Sequence, residues 1–232
     1  MKAVPGEFSI NGFPLMEFGR KPIDKHLLGG FAIAWTADLT LVHVVEDHTY
    51  HLNGYAIFRN ADVKWWRPVP PDDFLARAVR LNKLRPSEPD DVTIASMKEA
   101  VESAGRAFPL ITFHPERTRK GICYVGKMLR TTQRGVSILS ISPEAEWDGE
   151  DSYLLRDITL LEFGGAYEKL LTRMAKAGPP PPLDVRKKRR DRRFDAIEEV
   201  HARSKASDSG AIQRDVVAAV RAARKRPSRA KP

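Results

Sequence analysis

The sequence predicts a mostly β fold with peripheral helices, of the α+β class: two tandem small SH3/Sm-like barrels, then a helical, basic C-terminal arm. Short runs rich in β-branched and aromatic residues recur between clusters of Asp, Asn, Gly and Thr, which is typical of antiparallel strands joined by turns. Two stretches repeat the succession strand, Arg, Asp, β-branched residue, strand and helix, which indicates an internal duplication. The excess positive charge lies behind a run of four prolines.

Five segments are predicted along the chain. Residues 1–28 have no clear structure, because Gly and Pro interrupt their apolar positions, although a short strand or a segment wrapped around the body would fit. Residues 29–106 form the first small β-barrel with its helices, and residues 107–177 form the second barrel with a closing helix. Residues 178–193 are a Pro-rich and basic linker, and residues 194–232 are the helical basic arm.

The first half contains four predicted strands and two helices. The strands cover residues 31–35, 39–46, 50–59 and 63–67. Trp65 and Trp66 are adjacent on the last of them, so one ring should face inward and the other outward. A carboxylate at Asp72 or Asp73 can cap a helix that begins near Phe74. A second helix begins at a Ser96 capping box with Glu99, and Gly105 should end it.

The second half repeats this arrangement. Strands are predicted over residues 108–114, 122–131, 135–142 and 153–163, with a break at Asp157, and a helix over residues 166–177. The acidic stretch from Glu144 to Asp151, which surrounds Trp147, is predicted to be a solvated loop between strands. Cys123 lies in an apolar strand, where packing in the core is expected.

Three stretches, HLNGYAIFRNADV, FLARAVRL and DITLLEFGGAYEKLL, resemble a family of uncharacterised bacterial proteins with Sm-like or SH3-like β-barrels. The resemblance covers about residues 29–175. It implies a fold of small barrels, and it implies no catalytic residue. The basic arm lies outside the resemblance.

Charge divides the chain at the prolines. From Leu183 onward there are 16 Lys and Arg and 7 Asp and Glu, whereas residues 1–182 hold 23 of each sign. The cationic run predicts sequence-tolerant contact with RNA or DNA phosphates, since Phe194 is the only nearby aromatic ring that could stack on a base. The alternative is a solvated basic run. The predicted nucleic-acid-binding residues are Arg186, Lys187, Lys188, Arg189, Arg190, Arg192 and Arg193.

An apolar stripe at helical spacing follows within the arm, and such a stripe must be buried against something. It resembles the partner-binding tails of type II antitoxins, which implies an alternative role in which the tail folds on a partner protein. The residues predicted to bind that partner are Ile212, Val216 and Val220, with Arg214, Arg221 and Arg224 beside them.

The sequence predicts a binding protein without catalytic residues, metal or cofactor. A single cysteine excludes an internal disulfide and a multi-cysteine zinc site. His43, His48 and His51 lie close together, but alternating strand faces separate them, so they are expected to be polar hairpin residues. No signal peptide and no apolar run of about 20 residues is present, which predicts a cytoplasmic protein without membrane contact.

Overall fold

The computed structural model describes residues 8–175, which form one continuous antiparallel sheet of eleven strands with three α-helices. The α+β class is therefore confirmed. The strands are β1 (Ser9–Ile10), β2 (Phe13–Gly19), β3 (Leu27–Trp35), β4 (Leu39–Val45), β5 (Leu52–Arg59), β6 (Trp65–Pro68), β7 (Ile111–His114), β8 (Tyr124–Thr131), β9 (Gly135–Ile141), β10 (Trp147–Leu154) and β11 (Leu160–Phe163). The helices are α1 (Phe74–Leu81), α2 (Met97–Ala107) and α3 (Ala166–Met174).

The strand order repeats within the sheet, which runs β1-β2-β3-β4-β5-β11-β7-β8-β9-β10 with β6 beside β2. In the first half, β2 to β5 are successive neighbours, a 3-10 turn follows at Asn60–Asp62, and β6 returns to pair with β2. In the second half, β7 to β10 are successive neighbours, a 3-10 turn follows at Leu155–Asp157, and β11 returns to pair with β7. A helix follows each returning strand.

Local irregularities also recur at matching positions. The β3–β4 register shifts between Ala32 and Ala34, and the β8–β9 register shifts between Met128 and Arg130. The next turn begins in both halves with a threonine whose hydroxyl accepts backbone amides: Thr36 from Asp38 and Leu39, and Thr132 from Arg134 and Gly135. The third residue of β5 and of β10 is a glycine with positive φ, Gly54 and Gly149.

The predicted helix starts are confirmed, and one predicted helix end is wrong. Asp73 caps α1 by accepting from the Leu75 amide at 2.9 Å. The Ser96 hydroxyl accepts from the Glu99 amide at 3.2 Å, as the capping-box pattern predicts. Gly105 does not end α2, which continues to Ala107. Gly105 instead allows close packing, because a Cβ there would lie 2.5 Å from the Cβ of Met128.

The largest hydrophobic cluster crosses from one half to the other. Leu41 and Ile57 from the first half pack with Phe113 and Leu161 from the second, all at most 3% exposed. Helix α2, which links the halves, adds its buried face of Met97, Ala100, Val101 and Ala104. The two halves therefore share one continuous core. Within residues 8–175, no helix is long and apolar enough to span a lipid bilayer.

The structure corrects the predicted strands at two places. Residues 8–28, which had no clear prediction, contain β1, β2 and the start of β3, and β2 is the first strand of the first repeat. The acidic stretch is not a loop throughout, because β10 begins at Trp147 and pairs with β9 along its length. Among the described residues β10 pairs only with β9, and its acidic side chains range from half-buried Glu150 and Asp151 to exposed Asp148.

Candidate functional site

The joint between the halves is the antiparallel pair of β5 and β11. Phe58 lies opposite Leu160 and Tyr55 lies opposite Phe163, so four residues of each strand are in register. Gly54 precedes Tyr55 on β5. It lies so close to the backbone of Gly165 and Phe163 that no side chain would fit at this position. The joint therefore depends on backbone contact as well as apolar packing.

Buried charges cross the same joint. Arg20, which is 1% exposed, forms an ion pair with Glu116 of the second half. The Thr159 hydroxyl donates at 2.6 Å to Glu116 Oε2, the same oxygen that accepts from the Arg20 guanidinium. Asp62, in the first 3-10 turn, binds the Arg117 guanidinium at 2.5 Å. These pairs hold the first half to the loop that follows β7.

Arg59 makes a third connection between the halves. Its guanidinium donates to two carbonyls of the second 3-10 turn and the residue after it, Leu155 at 2.8 Å and Ile158 at 2.9 Å. The Leu155 carbonyl also accepts the Ile158 amide within the turn, so Arg59 is a second donor to the same oxygen. The end of β5 is therefore anchored to the start of β11.

A polar pocket of about 190 Å³ opens at the joint. His114 and Glu162 lie 2.6 Å apart on neighbouring strands, and the Thr112 hydroxyl donates to buried Glu168. Cys123 also lines this pocket, but partial desolvation and the Glu162 carboxylate raise the pKa of its thiol. A raised pKa keeps the thiol protonated and makes it a poor nucleophile. The pocket is lined by Asn53, Tyr55, Thr112, His114, Cys123, Glu162, Phe163, Gly165, Tyr167 and Glu168.

Cys123 was predicted to pack inside a strand of the core, and this is wrong. The residue is exposed and precedes β8, which begins only at Tyr124. The apolar letters around it, GICYVG, include a left-handed Gly121 and an Ile122 side chain that is also exposed. The strand starts later than its composition suggested because the preceding residues belong to the loop after β7.

His43 is the one histidine of its predicted group that packs closely in the fold. Its ring stacks on Tyr55 at 4.2 Å, and its Nδ1 accepts the Ser87 amide at 3.3 Å. Burial, with a contribution from the positive charge of Lys169, lowers the pKa of His43 to about 4. Within residues 8–175 no group of three His, Cys, Asp or Glu side chains could hold a metal ion.

The depressed pKa of His43 predicts acid sensitivity. The unfolded chain takes up the proton near pH 6.5, whereas the folded chain resists it down to about pH 4, so stability is complete above 6.5 and falls as the pH drops through this window. We expect His43→Asn to reduce the dependence of the melting temperature on pH between pH 4.5 and 7. His26→Asn, at an exposed loop position, should leave that dependence unchanged. Equal slopes for wild type and His43→Asn would contradict this assignment.

Three tryptophans line an open groove of about 560 Å³ on the first half. Trp65 and Trp66 are 42% and 55% exposed, and Trp35 is 37% exposed. The prediction that one of the adjacent pair faces inward is therefore wrong. The Trp65 ring lies over Gly19, and the Trp66 ring has no strand to cover it because β6 pairs only with β2 in the described region. Phe18, Thr36, Thr40, Asn60, Val63 and Lys64 complete the groove.

The predicted site residues of the arm lie outside the described residues, so their roles stay predictions. These are the seven cationic residues from Arg186 to Arg193 and the stripe of Ile212, Val216 and Val220 with its three arginines.

No protein-family model, no curated protein and no solved structure matches this chain. Arg20, Arg59 and Glu116 were not predicted from the sequence, because each contacts residues nearly a hundred positions away.

Proposed function

We propose that this chain is a cytoplasmic, non-enzymatic binding protein whose basic arm contacts RNA or DNA without sequence preference. The location of charge carries the proposal: 16 cationic and 7 acidic residues follow Leu183, and the first 182 residues hold 23 of each. Only the arm therefore offers phosphates a net positive surface. Contact is assigned to Arg186, Lys187, Lys188, Arg189, Arg190, Arg192 and Arg193.

The body of the protein serves in this proposal as a scaffold of two tandem small barrels of the SH3/Sm-like kind. Support comes from the repeated pairing in which the fifth strand of each half returns to the first, β6 to β2 and β11 to β7. A short 3-10 turn precedes both returning strands. In this proposal the prolines at 179–182 separate the arm from the body along the chain.

Two groups in or beside the joint pocket are poorly suited to catalysis near neutral pH. A cysteine nucleophile works as its thiolate, and the pKa of Cys123 is shifted in the opposite direction by partial desolvation and by Glu162. His43, the buried histidine nearby, has a pKa lowered to about 4 by burial, far below the operating pH of a general base. Neither group is tuned for chemistry near neutral pH.

Removal of the arm tests the proposal. We expect the chain truncated after Pro182 to lose affinity for random-sequence oligonucleotides by about a hundredfold or more, as measured by fluorescence anisotropy. Full-length binding should weaken with salt, with a log–log slope of about −5 on single strands if all seven cations contact phosphates. Full-length protein with those seven residues changed to glutamine is the matched variant. Equal binding by the truncated body would refute the assignment.

The second candidate is a protein-interaction role for the terminal stripe of Ile212, Val216 and Val220 with Arg214, Arg221 and Arg224. The observation in its favour is that these apolar residues recur at helical spacing, and such a stripe of side chains must pack against another surface. A Val216→Asp, Val220→Asp variant separates the two roles. Nucleic-acid binding through the cationic run predicts that this variant retains its oligonucleotide affinity within about threefold, because it changes few charges.

A further inference from the structure

The two halves of the fold begin with the same three residues, which create an equivalent apolar surface in each half. Phe13-Pro14-Leu15 begins β2, and Phe108-Pro109-Leu110 directly precedes β7. The residues after each triplet pair with the returning strand, which is β6 in the first half and β11 in the second. The leucine of each triplet packs in one cluster with a buried residue of the helix that follows, Val79 of α1 or Leu171 of α3.

In the first half the chain covers this surface with its own Phe8. The Phe8 side chain is 8% exposed and packs in one cluster with Leu15 and Val79. The Arg80 guanidinium lies 4.5 Å from the centre of the Phe8 ring. The Phe8 amide donates to the Val69 carbonyl at 3.4 Å, and the Phe8 carbonyl accepts from the Leu15 amide at 2.9 Å. Side chain and backbone together hold this residue in place.

In the second half the equivalent surface is an open pocket of about 330 Å³, which we call the α3 pocket. It lies between the triplet at 108–110 and the flank of α3 that carries Lys169, Thr172 and Arg173. Thr172 takes the place of Arg80, because the two helices align at their buried positions. The chain ahead of this triplet is helix α2, so within residues 8–175 no strand equivalent to β1 fills the pocket. Its volume is in the range of ligand-binding pockets.

The backbone groups that hold Phe8 have counterparts at the α3 pocket. The counterpart of Leu15 is Leu110, and the counterpart of Val69 is Gly164. The Leu110 amide and the Gly164 carbonyl form no hydrogen bond in the described part of the chain. An extended residue placed as Phe8 is placed would accept from this amide and donate to this carbonyl, which satisfies both groups.

We propose that the α3 pocket binds an extended segment of a partner protein, with an aromatic side chain of that segment seated as Phe8 is seated in the first half. The apolar floor of Phe108, Pro109 and Leu110 would cover one face of the ring. Thr172 leaves the room that Arg80 occupies beside Phe8, and its hydroxyl already donates to the Glu168 carbonyl at 2.7 Å.

Charge at the rim favours an acidic neighbour for the aromatic residue. Lys169 and Arg173 lie one turn apart on α3, both are exposed, and neither forms an ion pair within residues 8–175. Glu168, the one acidic residue of the lining, is buried, and its carboxylate accepts from the Thr112 hydroxyl. The two cations are therefore available to a carboxylate of the bound segment.

A second copy of this chain cannot supply its own Phe8, because that side chain is already buried in its own half. We therefore assign the segment to a different protein with an exposed aromatic residue beside an acidic one. The α3 pocket uses no residue of the cationic run, so this inference stands or falls separately from the proposed function.

A peptide copied from the first half tests the inference on the full-length protein. The probe is a labelled heptapeptide with the sequence of residues 6–12, Gly-Glu-Phe-Ser-Ile-Asn-Gly. We expect a dissociation constant of about 100 µM by fluorescence anisotropy, as suits one buried side chain and two hydrogen bonds. Alanine in place of the peptide's phenylalanine should weaken binding about tenfold or more. Methylation of the amide nitrogen of that phenylalanine should weaken it about fivefold, because the donor to the Gly164 carbonyl is then lost.

Two tryptophan variants locate the binding on the protein. Thr172→Trp places a large ring in the α3 pocket and should abolish peptide binding. Leu170→Trp is the matched control, because it adds the same side chain on the other flank of α3, where Leu170 is 50% exposed. This control should keep the wild-type affinity within about twofold. Far-ultraviolet circular dichroism establishes that both variants fold.

Peptide binding that Thr172→Trp leaves intact overturns the inference, as does equal affinity for the phenylalanine and alanine peptides. A wild type that does not bind the peptide at about 1 mM also overturns it. Self-association of the wild type that is lost in Thr172→Trp would assign the pocket to a second copy instead. Binding of decanoate without binding of the peptide would make it a site for small apolar acids, and either result overturns the assignment to a partner segment.

Discussion

Gly54→Ala is expected to destabilise the fold by about 3 kcal/mol or more, the sum of a left-handed backbone cost and an overpacking cost. Gly54 has a φ of +68°, and a Cβ there would lie 2.5 Å from the Phe163 carbonyl oxygen and within overlap of the Gly165 amide. Both neighbours are backbone atoms of the joint, so neither can move without separating β5 from β11. Thermal unfolding should show a midpoint lower by about 10 °C.

Gly121→Ala is the matched control for this prediction. Gly121 has nearly the same backbone angle, with a φ of +70°, but no atom lies within 4 Å of the position that its Cβ would take. This variant should therefore lose only the backbone contribution, about 1 kcal/mol. Equal losses at the two positions would show that the close approach at the joint contributes nothing.

Glu116→Gln is expected to cost about 3–5 kcal/mol in unfolding free energy, because it leaves the Arg20 cation buried without a counter-charge. Arg20 is 1% exposed and lies against the Phe58 ring as well as the Glu116 carboxylate. The charge cannot reach water without opening the joint. Urea denaturation monitored by tryptophan fluorescence gives the free energy directly.

Two further variants separate a buried charge effect from a simple loss of contacts. Arg20→Met combined with Glu116→Leu removes both charges, so it should be closer to wild type than Glu116→Gln alone. Lys98→Gln breaks the more exposed Lys98–Glu102 pair on α2 and should cost about 0.5 kcal/mol or less. A Glu116→Gln variant as stable as the Lys98→Gln variant would contradict the conclusion that the buried Arg20–Glu116 ion pair stabilises the fold.

Structural features that depend on residues close together in the sequence could be predicted. The α1 and α2 starts follow from Asp73 and Ser96, whose side chains satisfy amides two or three residues away. The break at Asp157 is a 3-10 turn, and most strands lie within a few residues of their predicted bounds. Each of these depends on neighbours along the chain, which a single sequence records.

Features that depend on distant partners could not be predicted. Strand β2 contains Pro14 and Gly19 and was not recognised, since its stability comes from pairing with both β3 and β6. The acidic letters of β10 indicated a loop, because composition does not show that these residues pair with β9 along a strand. The Arg20–Glu116 pair joins residues 96 positions apart, and no local pattern announces such a contact.

The most direct test of the joint between the halves is native-state hydrogen exchange on the unmodified full-length chain, followed at individual amides. The account predicts that the amides of β5 and β11 exchange together and as slowly as those of β4, because the two strands pair with each other and share one hydrophobic cluster. Exchange of the β11 amides that is much faster than exchange of the β4 amides would contradict the account, because the second half would then open without the first.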